Sequence, residues 1–288
     1  LAALVVSVHA HAANCPALPS LITQPCLIAA DGSYRLSNSI DGTNVPANAN
    51  SLKIVIEIAQ GVTQAEIDCY NYRIESNDPA WAAFGVGVGG VYNANVVVKN
   101  CHFGGSGMLR CVSIDNSGAN WAYQNVRLEG NTCNSTSMGF YVLSRGFKSI
   151  NNYLADIGGH VSCGRSFGIL FGGADAEIRQ NKIRRVWHRC VGEIVGIGIS
   201  HNAPNFVVAD NEIENDGFYK ENYAYSMGVW YGNDSWGTYS GNKVSGWKHG
   251  YLAGYPPIQP STLAGTSLIS DVIIPLEGFN GPEWTVTP

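Results

Sequence analysis

Charge is the first thing this chain lacks. Only 14% of its 288 residues are Asp, Glu, Lys or Arg, and the formal net charge is −5. Glycine is abundant instead, with 34 residues. This balance argues against a disordered chain and against a general nucleic-acid binder, which needs a basic surface. Long apolar runs are missing as well. The run at the start, Leu1 to Val8, is too short to span a bilayer. It leads into Ala10-His11-Ala12, which reads as the end of a secretory signal peptide, with residues 1–13 as its remnant. Should that segment persist in the mature protein, its strand would be free to pair with a neighbouring copy, and self-assembly would follow. Cysteine pairs at CxxC spacing are also absent, which leaves zinc and dithiol redox sites without support.

What is present is repetition. The phrase apolar-x-apolar-x-x-Asn-x-apolar runs through Val126, Leu128, Asn131 and Cys133, and is cleanest at Phe206, Val208, Asn211 and Ile213. Copies centre on Asn152, Asn181 and Asn242, and Val96, Val98, Cys101 and Phe103 form one with cysteine in the asparagine slot. A second phrase, Gly-apolar-x-apolar, alternates with it at Gly139, Gly168, Gly196, Gly228 and Gly250. Val112 to Ile114 is an earlier copy without its glycine. Alternation of apolar and polar residues is the period of a β-strand. Three short strands per repeat and no helix mark a solenoid, in which one coil buries its apolar residues only against the next. An asparagine at the same bend of every coil satisfies backbone groups that the buried bend would orphan.

On these repeats, from about Ile54 to Ala253, the chain resembles the right-handed parallel β-helix family typified by pectate lyases. The resemblance implies an all-β, single-domain, three-sheet solenoid with asparagine-ladder turns. The expected layout is an N-terminal cap over 14–50, coils over about 51–254, and an exit and cap over 255–288. The glycine phrase is assigned to a first sheet, the strand before asparagine to a second and the strand after it to a third. The return from third to first sheet is long at 155–167, 184–195 and 214–227, and long loops on a rigid scaffold are where function sits. In the family the sugar groove lies along the outside of the first sheet.

All eight cysteines follow the cleavage point, an even count that fits disulfides in an exported protein. Cys15 is expected to pair with Cys26 and Cys163 with Cys190, leaving Cys69, Cys101, Cys111 and Cys133 open.

Residues 127–189 hold nine Lys/Arg and four acids, a balance of +5 against −10 for the rest. Within it, Arg179, Lys182, Arg184, Arg185, His188 and Arg189 suit an acidic sugar chain, since an arginine fork grips a carboxylate. A solvated charge run balanced by the acids from Asp210 to Glu221 is the competing reading. Tyr141 and Trp230, outward on the first sheet, offer stacking faces. The substrate-binding set is thus Tyr141, Arg165, Arg179, Arg184, Tyr223 and Trp230. β-Elimination of a uronate needs its carboxylate neutralised (Arg185 or Arg189), a base (His188, Lys220 or His201) and an acid (Tyr219 or Tyr223). No close carboxyl pair for hydrolysis stands out at groove positions.

The Arg-x-Pro-x-x-Arg motif of pectate lyases and the Asp-Asp, Gly-His-Gly and Arg-Ile-Lys motifs of polygalacturonases are absent, so no family catalytic residue is carried over. The resemblance admits calcium, but no acidic cluster has ligand spacing, and no cofactor is expected. The reading is a secreted or periplasmic polysaccharide-active protein, a lyase-type enzyme on an acidic glycan. A non-catalytic extracellular solenoid used for surface contact, adhesion or filament formation is the alternative.

Overall fold

The structure, a computed structural model, describes residues 13–48, 51–78, 83–88, 95–115, 125–158, 165–188, 192–200, 202–216, 225–232, 235–253, 261–263 and 267–277. These form three parallel sheets of ten, nine and nine strands, with successive strands of one sheet separated by one strand of each other sheet. The first sheet stacks Cys26–Ile28, Lys53–Ile58, Ala83–Val88, Met108–Asp115, Met138–Leu143, Arg165–Gly172, Glu193–Ile199, Tyr225–Tyr231, His249–Ala253 and Ile274–Glu277. The chain is therefore a three-sheet parallel β-solenoid. Its ladders reach into both flanking segments: Cys26–Ile28, Gly32–Arg35 and Ile40–Asp41 pair with the following coil, and Thr262–Leu263, Leu268–Ser270 and Ile274–Glu277 with the preceding one. Residues 1–12, the Tyr255–Pro260 exit and the Cys163 and Cys190 positions lie outside the described residues.

The bend between second and third sheets explains the asparagine phrase. Asn100, Gly130, Asn151, Gln180, Asp210 and Gly241 each have φ between 54° and 62°. This left-handed conformation favours glycine, asparagine and aspartate. The next residue in each case fills the asparagine slot and is buried. Asn181 shows the pattern. Its Nδ2 donates to the carbonyl of Ser149 at 2.9 Å and to Oδ1 of Asn211 at 3.0 Å. Its own Oδ1 accepts from the backbone N–H and the Nδ2 of Asn152, at 3.1 and 3.0 Å. The same bonds link Asn131 to Asn152 and Asn211 to Asn242. Towards the N-terminus the slot holds Cys101, whose N–H donates to Asn131 Oδ1 at 3.0 Å and whose sulfur is bonded to Cys69. A covalent bond there continues the stack.

The glycine phrase has an equally local cause. A Cβ on Gly139, Gly168, Gly196 or Gly228 would come within 2.1–2.8 Å of the next coil's glycine carbonyl. It would also meet Leu154, Ile183, Ile213 or Val244, respectively, at 2.4–2.8 Å. Those four residues are the ones two places after each asparagine, stacked in register on the third sheet. So the glycine of one phrase makes room for the apolar residue of the other. The copy without glycine obeys the same geometry. Cys111 precedes Val112, which is in register with Phe140, so it stands where Gly139 stands one coil later. It is disulfide-bonded to Cys133, which is in register with Leu154. Cys15 pairs with Cys26 as expected.

The interior is filled by stacked aliphatic rows and by a file of rings. Phe147, Phe171, Phe206, Tyr239 and Tyr251 follow one another with centroids 5.2–6.2 Å apart.

Replacing Asn181 by alanine should destabilise the fold by about 3 kcal/mol or more, because it strips partners from the buried Asn152 N–H and Ser149 carbonyl. Urea unfolding should show a lower midpoint at unchanged slope. For the cysteine pair, Cys111→Gly with Cys133→Leu restores the regular phrases. That variant should fold and should exceed Cys111→Ser/Cys133→Ser in unfolding free energy by about 2 kcal/mol, since the latter buries two hydroxyls.

Candidate functional site

Two outer surfaces carry most of the described candidate residues. On the first sheet, one row points away from the core: Ser113, Tyr141, Leu170, Gly198, Trp230 and Leu252 are in register from coil to coil. Tyr141 and Trp230 are both part-exposed and three strands apart, about 14 Å at normal strand spacing. Each has an arginine over its ring. The guanidinium carbon of Arg110 lies 4.0 Å from the Tyr141 centroid, and that of Arg165 lies 5.6 Å from the Trp230 centroid. Arg165 is also ion-paired with Glu193, its register partner on the next strand.

A parallel outward row is apolar. Phe167, Val195 and Met227 are 4%, 1% and 2% exposed and pack with Met138, Leu170, Trp230 and Leu252. Gly198 permits this, because a Cβ there would sit 2.7 Å from the Phe167 ring. The face is thus more apolar than the sequence reading anticipates, and its polar part gathers around Tyr141.

That polar part includes Arg110, which the sequence reading passed over. Its Nη1 donates to Ser113 Oγ at 3.0 Å, and its guanidinium lies between Tyr141 and the Phe84 ring, 5.2 Å away. Nε is buried without an acceptor. Burial pushes the guanidinium below its ordinary value, with the fields of Tyr141 and Asp115 opposing. Burial likewise raises the Tyr141 phenol, helped by Asp115. An available signal was position: Arg110 and Ser113 flank the inward pair Cys111 and Val112, so both face outward.

The second surface is the outside of the third sheet. Here the basic run meets the acids one coil later. Lys182 bonds Glu212 at 2.7 Å, and Arg184 bonds Glu212 at 3.1 Å and Glu214 at 3.0 Å. Arg185, with φ at 53°, bonds Asp156 at 2.6 Å. An open concavity of about 350 Å³ is lined by Tyr153, Arg184, Arg185, Glu214, Asn215 and Asp216. Glu212 and Glu214 are two apart in one strand and so share a face, a pairing the sequence reading also missed. Glu212 is held at about 2 against an ordinary 4.5, foremost by the Lys182 hydrogen bond. Glu214 is raised, first by burial and then by its contact with Glu212. Two neighbouring carboxyls driven in opposite directions are the pattern from which acid–base pairs are built.

The expected site residues are therefore divided. Tyr141, Arg165 and Trp230 share the first sheet. Arg179 lies on the second sheet, against Glu177. Arg184 and Arg185 belong to the third-sheet strand Lys182–Val186. His188, expected in the long loop over 184–195, is 3% exposed. Arg189, His201, Tyr219, Lys220 and Tyr223 lie outside the described residues. The described members of the elimination set, Arg185 and His188, are one ion-paired on the third sheet and one buried. The competing reading of the charge run, neutralisation by the next coil, is what Lys182, Arg184, Glu212 and Glu214 do. No three His, Cys, Asp or Glu side chains among the described residues group to hold a metal, so no step is routed through calcium. No helix of the described residues is long and apolar enough to cross a membrane.

The split of the carboxyl pair has a measurable sign. Glu212, being depressed, contributes stability above its unfolded value near 4.5 that is lost as pH falls towards about 2. Glu214, being raised, works the other way, and its contribution is lost as pH rises through its folded value. Carboxyl NMR titration should give two midpoints on opposite sides of 4.5, with Glu212 the lower. Lys182→Met should move the Glu212 midpoint upward.

No family model matches the chain, and no curated protein does. Among solved structures it is similar to a mutant tailspike protein of the E. coli bacteriophage HK620 in complex with a hexasaccharide, at 11% identity and a TM-score of 0.32. The match covers 86% of this chain and 54% of that one, so the chain spans about half the length of the tailspike.

Proposed function

We propose that the protein is polysaccharide-active and works outside the cytoplasm, with the saccharide lying along the outer face of the first sheet. The observation that carries this is the pair of part-exposed rings, Tyr141 and Trp230, set on one rigid row with a cation against each. Flat rings that keep one edge wet suit sugar faces, and the charged groups beside them suit hydroxyls or acidic substituents. The disulfides Cys15–Cys26, Cys69–Cys101 and Cys111–Cys133 support an oxidising compartment.

The glycan we assign is acidic, and the chemistry is lyase-type. Among the described outward positions of this face the carboxyls are few, and Glu193 is already held by Arg165, so a flanking pair for hydrolysis is not favoured there. A second reading is hydrolysis at the third-sheet concavity, which Glu214 lines, with Glu212 two residues away on the same strand face.

The test is affinity electrophoresis through pectate, alginate, hyaluronan and chondroitin sulfate, with ultraviolet absorbance for unsaturated uronate and a reducing-sugar assay on the same panel. Retardation in at least one acidic gel is expected, weakened about tenfold by Tyr141→Ala or Trp230→Ala, with unsaturated product formed. Reducing ends without unsaturation, lost in Glu214→Gln, would move the assignment to hydrolysis. Neither retardation nor product on any member would replace the glycan reading by a contact role for the solenoid.

A further inference from the structure

Arg110 is the odd arginine of this fold. Seven arginines, from Arg73 to Arg185, each have a carboxylate oxygen within 4.0 Å. Arg35, which lies over Tyr70, and Arg110 have none among the described residues. Tyr70 is 57% exposed, so Arg35 sits where water can solvate it. Arg110 has less of that relief, since its Nε is buried. It is part-buried on the outer face of the first sheet, between the rings of Tyr141 and Phe84, with one hydrogen bond to a neutral hydroxyl. Its Nε has no acceptor. Asp115 acts on it through space without ion-pair contact.

A guanidinium does not lose its proton in a protein, so this charge stays. Rings attract it through their quadrupole, but they do not accept its N–H groups as a carboxylate does. A partly buried cation left without a counter-anion costs free energy, and a carboxylate that reached it would offset that cost with a bidentate, charge-assisted contact. The two rings also fix the plane of the guanidinium in advance, which cuts the ordering cost of binding.

We infer that Arg110, with Ser113 and Tyr141, forms the subsite that receives the carboxylate of a uronic acid unit. The inference rests on the proposal that a saccharide occupies this face, and it names the group that selects an acidic one. Arg110 holds the carboxylate, Ser113 orients the guanidinium through Nη1, and Tyr141 stacks on the guanidinium while presenting its edge to the sugar. The third-sheet arginines, already held by Asp156, Glu212 and Glu214, are not needed for this recognition.

Calorimetric titration of the full chain with oligomers of pectate, alginate and hyaluronan, each beside its carboxyl-reduced neutral counterpart, tests it. Wild type should bind one acidic oligomer at least about tenfold more tightly than the reduced form. Arg110→Gln should bind both forms alike, and Arg110→Lys should recover only part of the preference, because the fork is lost. Equal discrimination by wild type and Arg110→Gln would overturn the Arg110 assignment and leave the glycan reading standing. No binding of any oligomer by wild type would remove both. Should Arg110 variants fail to fold, a wild-type crystal soaked with the bound oligomer decides. A carboxylate on the guanidinium supports the subsite, and one placed elsewhere refutes it.

Discussion

The hydrogen bond from one asparagine amide to the next is the contact on which the rest of this structure depends. A solenoid must turn its backbone sharply inside each coil, and those turns leave N–H and C=O groups where water cannot reach. Asn131, Asn152, Asn181, Asn211 and Asn242 answer that demand with both ends of the side chain. Because each bond runs to the neighbouring coil, satisfying the bend also sets the stacking register. Where the asparagine is missing, at Cys101, a disulfide to Cys69 holds the same two coils. The glycine row is the complementary constraint. It lets the apolar residue after each asparagine fill the interior, and Cys111–Cys133 ties the coil that has no glycine.

Rigid register has a consequence for the outer faces. Every outward side chain has a neighbour directly above and below, at strand spacing, so like or unlike charges meet by construction. On the third sheet this brings Lys182 and Arg184 onto Glu212 and Glu214, and the charges neutralise one another. On the first sheet the same rule stacks Ser113, Tyr141, Leu170, Gly198 and Trp230, and few charges are there to cancel. Arg110 stays uncompensated because its register partners are Phe84 and Met138, neither of which is acidic. Function on such a scaffold is a matter of which register positions are left unsatisfied.

The fold was legible because both of its constraints are local and periodic. Asparagine after a left-handed residue, and glycine opposite a third-sheet aliphatic, recur in sequence at each coil. Cys101 was readable as an asparagine substitute. Its partner, Cys69, was not, since the spacing to the previous coil passes through irregular phrases. The candidate site was much less legible. The basic run from Arg179 to Arg185 drew attention by density, yet density along the chain spreads these residues over two sheets. Arg110 stood alone among apolar neighbours and showed no density at all.

The sequence by itself determined the solenoid, the three-sheet order and the outward direction of Tyr141, Arg179 and Trp230. Those properties follow from the two-residue period of a strand and the roughly thirty-residue period of the coil. Only the tertiary structure decided which charges are free. Whether an arginine is neutralised depends on what the next coil places beside it, a residue some thirty positions away. That is why Arg184 is spoken for by Glu212 and Glu214 while Arg110, between two rings, is not.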